Sequence, residues 1–161
     1  MSRIKELLND NTSVLVFDID GVLAVAEWGE HTHFALSDDE WTNACKNGTD
    51  FYTEDKVSAK MQDFISRKDL DKIFVITTAN SRNEGEFKRR FANKFYKIPK
   101  ENVYYVENNS EKVLKLAEIK RKFPNLLDEK IIMIDDTMRI LNDVMEKTKF
   151  STAHISSFLD I

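Results

Sequence analysis

The sequence predicts an α/β fold of the doubly wound class, in which helices cover both faces of a parallel sheet. Four short apolar runs, rich in branched or aromatic residues, are typical of strands buried on both faces; they are VLVF (14–17), KIFVIT (72–77), NVYYV (102–106) and KIIMI (130–134). A weaker run that alternates, FSTAHIS (150–156), is typical of an edge strand. Because helical segments separate these runs, we expect a three-layer α/β/α, Rossmann-like architecture.

Helix start signals lie between the predicted strands. A short amphipathic helix precedes the first strand, and Thr53, Ser110 and Thr137 each begin a segment with apolar residues at helical spacing. Pro124 marks the end of the segment that begins at Ser110. Together with the segment 82–100, these signals place a helix before every later strand.

The segment 82–100 is the cationic part of the sequence, with 7 basic and 2 acidic residues. Phe87, Phe91 and Phe95 recur within it at helical spacing, so we expect an amphipathic helix that buries them. The basic residues beside them are expected to form a solvated face; they are Lys88, Arg89, Arg90 and Lys94. The alternative is that this face contacts a polyanionic substrate.

An insertion of about residues 24–52 interrupts the alternation within a single domain that spans 1–161. It contains a helix of its own, because Ser37 to Glu40 forms a capping box. Trp41 lies inside that helix and is expected in a small core of the insertion.

Two further features of the insertion allow more than one interpretation. Trp28 follows the first strand closely, where it would contact either the insertion or a substrate. His31 and His33 could share one face of a strand, but two histidines without a third ligand nearby favour a polar loop over a metal site.

Composition and charge exclude several classes of protein. The 161 residues have the length of one domain, and 42% hydrophobic with 32% charged residues excludes a disordered chain and a membrane span. The net charge of -4 argues against a general nucleic-acid binder.

A single cysteine, Cys45, cannot form an internal disulfide, and the N-terminus lacks the apolar stretch of a secretory signal. We therefore expect a cytoplasmic protein, a monomer or a weak dimer, without a membrane partner.

Two pairs of carboxylates follow predicted strands. Asp18 and Asp20 emerge from the first strand into a turn with Gly21, and Asp135 and Asp136 end the fourth strand. In open parallel sheets, ligands bind at the carboxyl ends of the strands. Converging carboxylates repel one another unless a cation neutralises them, and an all-oxygen set is what Mg²⁺ prefers. The sequence therefore predicts a magnesium site at this edge.

These residues resemble the motifs of the haloacid dehalogenase (HAD) superfamily of phosphotransferases. The resemblance lies in DIDGV after a hydrophobic strand, a strand that ends in Thr, a later Lys and a strand that ends in DD, over residues 13 to about 145. It implies a Mg²⁺-dependent phosphatase with a small cap insertion, which acts through an aspartyl phosphate. Members that cleave carbon–halogen bonds lack the second acid of the first motif, so Asp20 favours a phosphatase.

The resemblance also implies roles for the matched residues. Asp18 matches the nucleophile, and Asp20 matches the general acid/base. Thr77 matches the residue that contacts a phosphoryl oxygen, with Thr78 as the next candidate. The cation of the site matches Lys112, and Lys115, one turn later, is the alternative.

By the same resemblance, Mg²⁺ is bound by the carboxylate of Asp18, the backbone carbonyl of Asp20, and either Asp135 or Asp136. Gly21, Thr78, Lys115 and Trp28 are the candidates for substrate contact.

The expected partner is a small phosphorylated metabolite or a nucleotide. The layout also resembles the 3′-phosphatase domain of phage polynucleotide kinases, so a nucleic-acid end is a second candidate. Those enzymes have Arg two residues after the Ser of the second motif, where this chain has Ala79. A non-catalytic phosphate-binding scaffold is a third interpretation, and loss of Asp18 or Asp20 would have been its signature.

Overall fold

A parallel sheet of five strands occupies the middle layer of the protein. The computed structural model describes residues 2–25, 36–53 and 56–159. The strands of the sheet are β1 (Val14–Phe17), β4 (Ile73–Thr78), β5 (Val103–Val106), β6 (Ile131–Asp135) and β7 (Ser151–His154), and a short antiparallel pair consists of β2 (Ala24–Val25) and β3 (Lys56–Val57). The sheet order is β5-β4-β1-β6-β7. All five predicted strands are confirmed, and the weak run forms β7 at the sheet edge.

Helices connect the strands and cover the sheet. They are α1 (Arg3–Asn9), α2 (Asp38–Lys46), α3 (Ala59–Ser66), α4 (Arg82–Tyr96), α5 (Lys112–Lys122) and α6 (Met138–Lys147). Within the described ranges, no helix combines the length and the apolar composition that a bilayer crossing requires.

Side-chain caps mark the start of three of the described helices, α2, α3 and α4. The predicted capping box of α2 is confirmed, since Ser37 and Glu40 bond reciprocally to each other's backbone N–H. The helix predicted from Thr53 is wrong at its start. Residues 56–57 instead form β3, and the hydroxyl of Ser58 caps α3 by accepting from the N–H of Met61.

Two hydrophobic clusters lie on opposite faces of the sheet, because side chains alternate along each strand. The first cluster joins the odd-numbered side chains of β1 to α3 and α4; it includes Leu15, Phe17, Val75, Ile134, Phe64 and Phe91. The second joins the even-numbered side chains of β1 to α5 and α6; it includes Val14, Val16, Phe74, Ile76, Met133, Leu116 and Val144. Helices on both faces confirm the doubly wound class.

The sheet order places β1 between β4 and β6. From β1 the chain moves to β4 and β5 on one side, and then crosses to β6 and β7 on the other. The strand order therefore reverses between β1 and β6, which is where ligands bind in open α/β sheets. In this pair Phe17 lies opposite Ile134, so Asp18 and Asp135 follow at the same level of the sheet.

Residues 36–52 of the insertion pack against α4. The Asn83 side chain of α4 donates to the carbonyl of Cys45, near the end of α2, at 3.2 Å. Trp41 stacks on Phe51 with 4.2 Å between ring centroids, which confirms the predicted core role of Trp41.

Gly85 marks a close approach of α4 to β5. A Cβ atom at this position would lie 2.5 Å from ring atoms of Tyr105. We expect Gly85→Ala to lower the free energy of unfolding by about 1–3 kcal/mol, the usual cost of overpacking. This loss would exceed the gain of about 1 kcal/mol that alanine brings to a helix interior. Urea unfolding of both proteins measures the difference.

A second background isolates the steric cause. In Tyr105→Ala, where the ring is gone, the same Gly85→Ala change should raise the free energy of unfolding. A loss of equal size in both backgrounds would contradict the proposed contact.

Candidate active site

A buried lysine joins the two acids at the ends of β1 and β6. Lys112, the first residue of α5, donates from Nζ to Oδ2 of Asp135 at 2.9 Å and lies 3.3 Å from Oδ1 of Asp18. The Lys112 side chain is 1% exposed and that of Asp135 is 0% exposed. The other Asp135 oxygen accepts from the backbone N–H of Thr137 at 2.9 Å. One cation thus fixes two carboxylates that lie far apart in the sequence.

Asp136 lies over the turn that follows β1. Gly21 has φ = +74°, and a Cβ atom there would lie 2.2 Å from Oδ2 of Asp136. Any side chain at position 21 would therefore displace this carboxylate, besides straining the backbone. The Thr137 hydroxyl donates to the other oxygen of Asp136 at 3.1 Å.

Three of the predicted metal ligands come together. One carboxylate oxygen from each of Asp18, Asp135 and Asp136 lies within 4.8 Å of the other two, so the group could hold a metal ion. Oδ1 of Asp18 is buried and makes no hydrogen bond within the described residues. The group is all-oxygen and acidic, which suits a hard divalent cation.

Burial dominates the electrostatics of Asp18. The pKa of this carboxyl is raised to about 6, chiefly because burial removes it from water, and the neighbouring carboxylates of Asp135 and Asp20 act in the same direction. The ammonium groups of Lys112 and Lys88 act in the opposite direction and do not cancel the effect.

The Asp20 carboxylate makes a different set of contacts. Its Oδ1 accepts from the hydroxyl of Tyr52 at 2.8 Å, and its Oδ2 lies 2.7 Å from Nζ of Lys88. Lys88 also lies 3.1 Å from a carboxylate oxygen of Glu84 and donates to the backbone carbonyl of Thr78. Burial acts to lower the pKa of Lys88, but the carboxylates of Asp20 and Glu84 outweigh it and raise the pKa, so the ammonium stays charged.

The prediction of a solvated cationic face on α4 is wrong for Lys88, whose side chain is 2% exposed. The sequence does contain a signal for this position. Glu84, Lys88, Phe91 and Phe95 follow one another at steps of four, three and four residues, which places Lys88 on the inward stripe of the helix. No comparable signal identifies Tyr52, whose contact with Asp20 depends on the fold of the insertion.

The two threonines at the end of β4 lie on opposite faces. The register pairs Val16 of β1 with Phe74 of β4. Because side chains alternate along each strand, the side chain of Thr78 has the same orientation as that of Asp18. The side chain of Thr77 has the opposite orientation, which it shares with Val75 and Phe17. Thr77 is fully buried, and its hydroxyl has no hydrogen-bond partner within the described residues. The register therefore places Thr78, and not Thr77, on the face of Asp18.

Lys115, the alternative to Lys112, makes its contact with a different carboxylate. Lys115 lies 2.9 Å from a carboxylate oxygen of Glu118 and is partly exposed. Trp28, His31 and His33 lie outside the described residues.

His154, which belongs to none of the motifs found in the sequence, supports the loop of Asp136. Its Nδ1 accepts from the backbone N–H of Ser156 at 3.2 Å, so Nε2 carries the hydrogen and donates to the backbone carbonyl of Asp136 at 3.0 Å. The edge strand β7 thereby fixes the backbone at the end of β6.

Comparisons with known proteins bear on the fold. No protein-family model matches the sequence, and no curated protein matches it significantly. The solved structure of DsGPDH of Dunaliella salina aligns with 94% of this chain at 20% identity and a TM-score of 0.57, but the chain spans only 25% of that protein. This likeness shows a shared fold and does not extend to activity.

The HAD domain of the effector protein Lem4 from Legionella pneumophila aligns less well. The alignment covers 88% of this chain and 84% of that domain, with 14% sequence identity and a TM-score of 0.44. An inactive mutant of the same domain gives 13% identity and a TM-score of 0.45.

Removal of the Lys112 charge should destabilise the protein strongly. Lys112→Met leaves Asp135 buried without its cation, and the loss of one partner from a buried pair costs about 3 kcal/mol or more. We expect a loss of this size in urea unfolding with EDTA present. Lys115→Met, the same change on a partly exposed lysine of the same helix, is the matched control and should shift stability by less than about 0.5 kcal/mol. Equal effects of the two substitutions would contradict the role of Lys112.

Proposed function

We propose that this protein is a Mg²⁺-dependent phosphomonoester hydrolase of the HAD type, with Asp18 as nucleophile and Asp20 as general acid/base. The observation that carries the proposal is the grouping of Asp18, Asp135 and Asp136 at the strand-order reversal, with Lys112 in contact with the first two. This arrangement presents a nucleophilic carboxylate beside a lysine and an acidic metal cluster. The HAD motifs in the sequence support the same assignment.

The donor set fits Mg²⁺. We assign the direct contacts to the carboxylates of Asp18 and Asp136 and to the backbone carbonyl of Asp20. Both oxygens of Asp135 already accept hydrogen bonds, from Lys112 and from the N–H of Thr137, so Asp135 is the weaker candidate for direct contact. When bound, the ion supplies positive charge against the phosphoryl oxygens.

The first step transfers the phosphoryl group to the protein. An oxygen of Asp18 attacks phosphorus in line, and the bond from phosphorus to the leaving oxygen breaks. The carboxyl group of Asp20 gives its proton to that leaving oxygen. Lys112 orients the attacking carboxylate, and Thr78 is the candidate donor to a phosphoryl oxygen because the strand register turns it toward the Asp18 face.

The second step releases phosphate. The Asp20 carboxylate takes a proton from a water molecule as the water oxygen attacks phosphorus. The bond between phosphorus and Asp18 breaks, which restores the carboxylate and frees inorganic phosphate. The same residue thus serves as acid in one step and as base in the next.

A small phosphorylated metabolite or a nucleotide is the substrate class that we favour over a nucleic-acid end. Three of the basic residues of α4 that could contact a polyanion are engaged within the protein, whereas Arg82 and Lys94 are exposed. Lys88 is buried beside Asp20, the Arg89 side chain donates to the carbonyl of Val103 at 3.0 Å, and Arg90 lies 2.7 Å from a carboxylate oxygen of Asp50.

Loss of the proposed nucleophile should abolish turnover. We expect Asp18→Asn to eliminate Mg²⁺-dependent phosphate release from 4-nitrophenyl phosphate, because an amide cannot form the aspartyl phosphate. Asp143→Asn removes an exposed carboxylate on α6 and serves as the matched control with unchanged turnover. A panel of sugar phosphates, nucleoside monophosphates and 3′-phosphorylated oligonucleotides then ranks substrates by kcat/KM. Retained turnover in Asp18→Asn would overturn the assignment.

Mg²⁺ should stabilise the folded protein through the acidic cluster. A ligand that binds only the folded state at a hundred times its Kd adds about 2.7 kcal/mol of stability, so the melting temperature of the wild type should rise with Mg²⁺. In Asp136→Asn this rise should shrink, whereas Asp143→Asn should keep it. Differential scanning calorimetry with EDTA and with increasing Mg²⁺ measures both. An unchanged rise in Asp136→Asn would exclude Asp136 as a ligand.

A further inference from the structure

The Asp20 carboxylate is bound by two donors from two different parts of the fold. The hydroxyl of Tyr52 reaches Oδ1 from the end of the insertion, and the ammonium of Lys88 reaches Oδ2 from α4. The Asp20 side chain remains 52% exposed, so these contacts leave part of it open. Each carboxylate oxygen has a second lone pair, which stays available to a proton.

Both donors are themselves fixed by packing. The Tyr52 ring is buried and makes edge contacts with Trp41 and Phe91, at centroid distances of 6.1 and 6.0 Å. Lys88 is equally buried and is held by Glu84 and by the carbonyl of Thr78. Because neither donor can follow a moving carboxylate, the pair defines one orientation of Asp20.

We propose that Lys88 and Tyr52 are positioning residues, which hold the Asp20 carboxylate in the orientation that hydrolysis of the phosphorylated protein requires. The inference rests on the proposed function, and it assigns to α4 and to the insertion a part in the second step. A catalytic group must be held close to its productive geometry by side chains that are locked in place. Tyr52 and Lys88 meet this condition, since both are buried and bound.

A substrate with a good leaving group separates the two steps. 4-Nitrophenolate leaves phosphorus without needing a proton, so formation of the phosphorylated protein depends little on Asp20. Attack by water still needs the Asp20 carboxylate as base. A misplaced Asp20 therefore slows the second step selectively with this substrate.

The test compares Lys88→Met and Tyr52→Phe with the wild type, using 4-nitrophenyl phosphate and Mg²⁺. Displacement of a catalytic group by about 1 Å costs about a hundred-fold, so we expect kcat to fall by roughly ten- to a hundred-fold in each variant. KM should fall by the same factor, because kcat/KM reports the first step and should stay unchanged. Rapid acid quench followed by mass spectrometry should show a several-fold higher fraction of chains phosphorylated on Asp18.

Matched controls separate positioning from general destabilisation. Lys94→Met makes the same change at an exposed lysine of α4, and Tyr96→Phe removes a buried hydroxyl that bonds to the carbonyl of Leu23 at 2.6 Å instead of to Asp20. Both controls should keep the wild-type phosphorylated fraction. Should Lys88→Met fail to fold, Tyr52→Phe, which removes one oxygen atom, still decides the question.

The outcomes distinguish this inference from the proposed function. If the wild type neither turns over substrate nor becomes phosphorylated on Asp18, the proposed function fails, and the inference fails with it. If the wild type does both, but Lys88→Met and Tyr52→Phe lower kcat and kcat/KM equally without raising the phosphorylated fraction, only the positioning role is overturned.

Discussion

The ammonium of Lys112 is the interaction on which the arrangement of the site depends. It neutralises carboxylates at the ends of two neighbouring strands, and burial makes each of these charges costly without the others. Its place is set by apolar packing, because Leu116 and Ile119 on the same helix are fully buried against the sheet. Hydrophobic contacts of α5 thus determine where a charge lies.

A second buried lysine approaches the loop after β1 from the opposite layer. Lys112 belongs to α5, which packs on the even-numbered side chains of β1, and Lys88 belongs to α4, which packs on the odd-numbered ones. Asp18 therefore contacts a cation from one helical layer, and Asp20 contacts a cation from the other. Two acids that are separated by one residue acquire different surroundings, which is the usual way in which one site obtains groups with different roles.

Most of the fold could be predicted from the sequence, because strands buried on both faces and capped helices leave local patterns. The apolar runs identified every strand of the large sheet. The acids that follow the first and fourth runs include all three members of the cluster, Asp18, Asp135 and Asp136. The short strands β2 and β3 left no such pattern, since two residues are too few to show a period.

The finer placement of side chains depends on information that the sequence does not contain. Register against β1 decides whether Thr77 or Thr78 has the orientation of Asp18, and register is a property of the pairing of two segments. The contact of Tyr52 with Asp20 depends on how the insertion returns to the sheet. Lys88 is a different case. Its position along α4 indicated that its side chain points inward, and only its charge indicated that the side chain would be exposed to solvent.

The position of β1 in the sheet has a consequence for synthesis of the chain. β1 pairs with β4 on one side and with β6 on the other, and β6 follows both β4 and β5 in the sequence. A nascent chain that has folded as far as β5 carries β1 with one unpaired edge and a fully apolar sequence, a combination that favours association between chains. The same partial fold has Asp18 without Asp135 beside it. Closure of that edge by β6 therefore removes an aggregation hazard and assembles the acidic cluster in a single event.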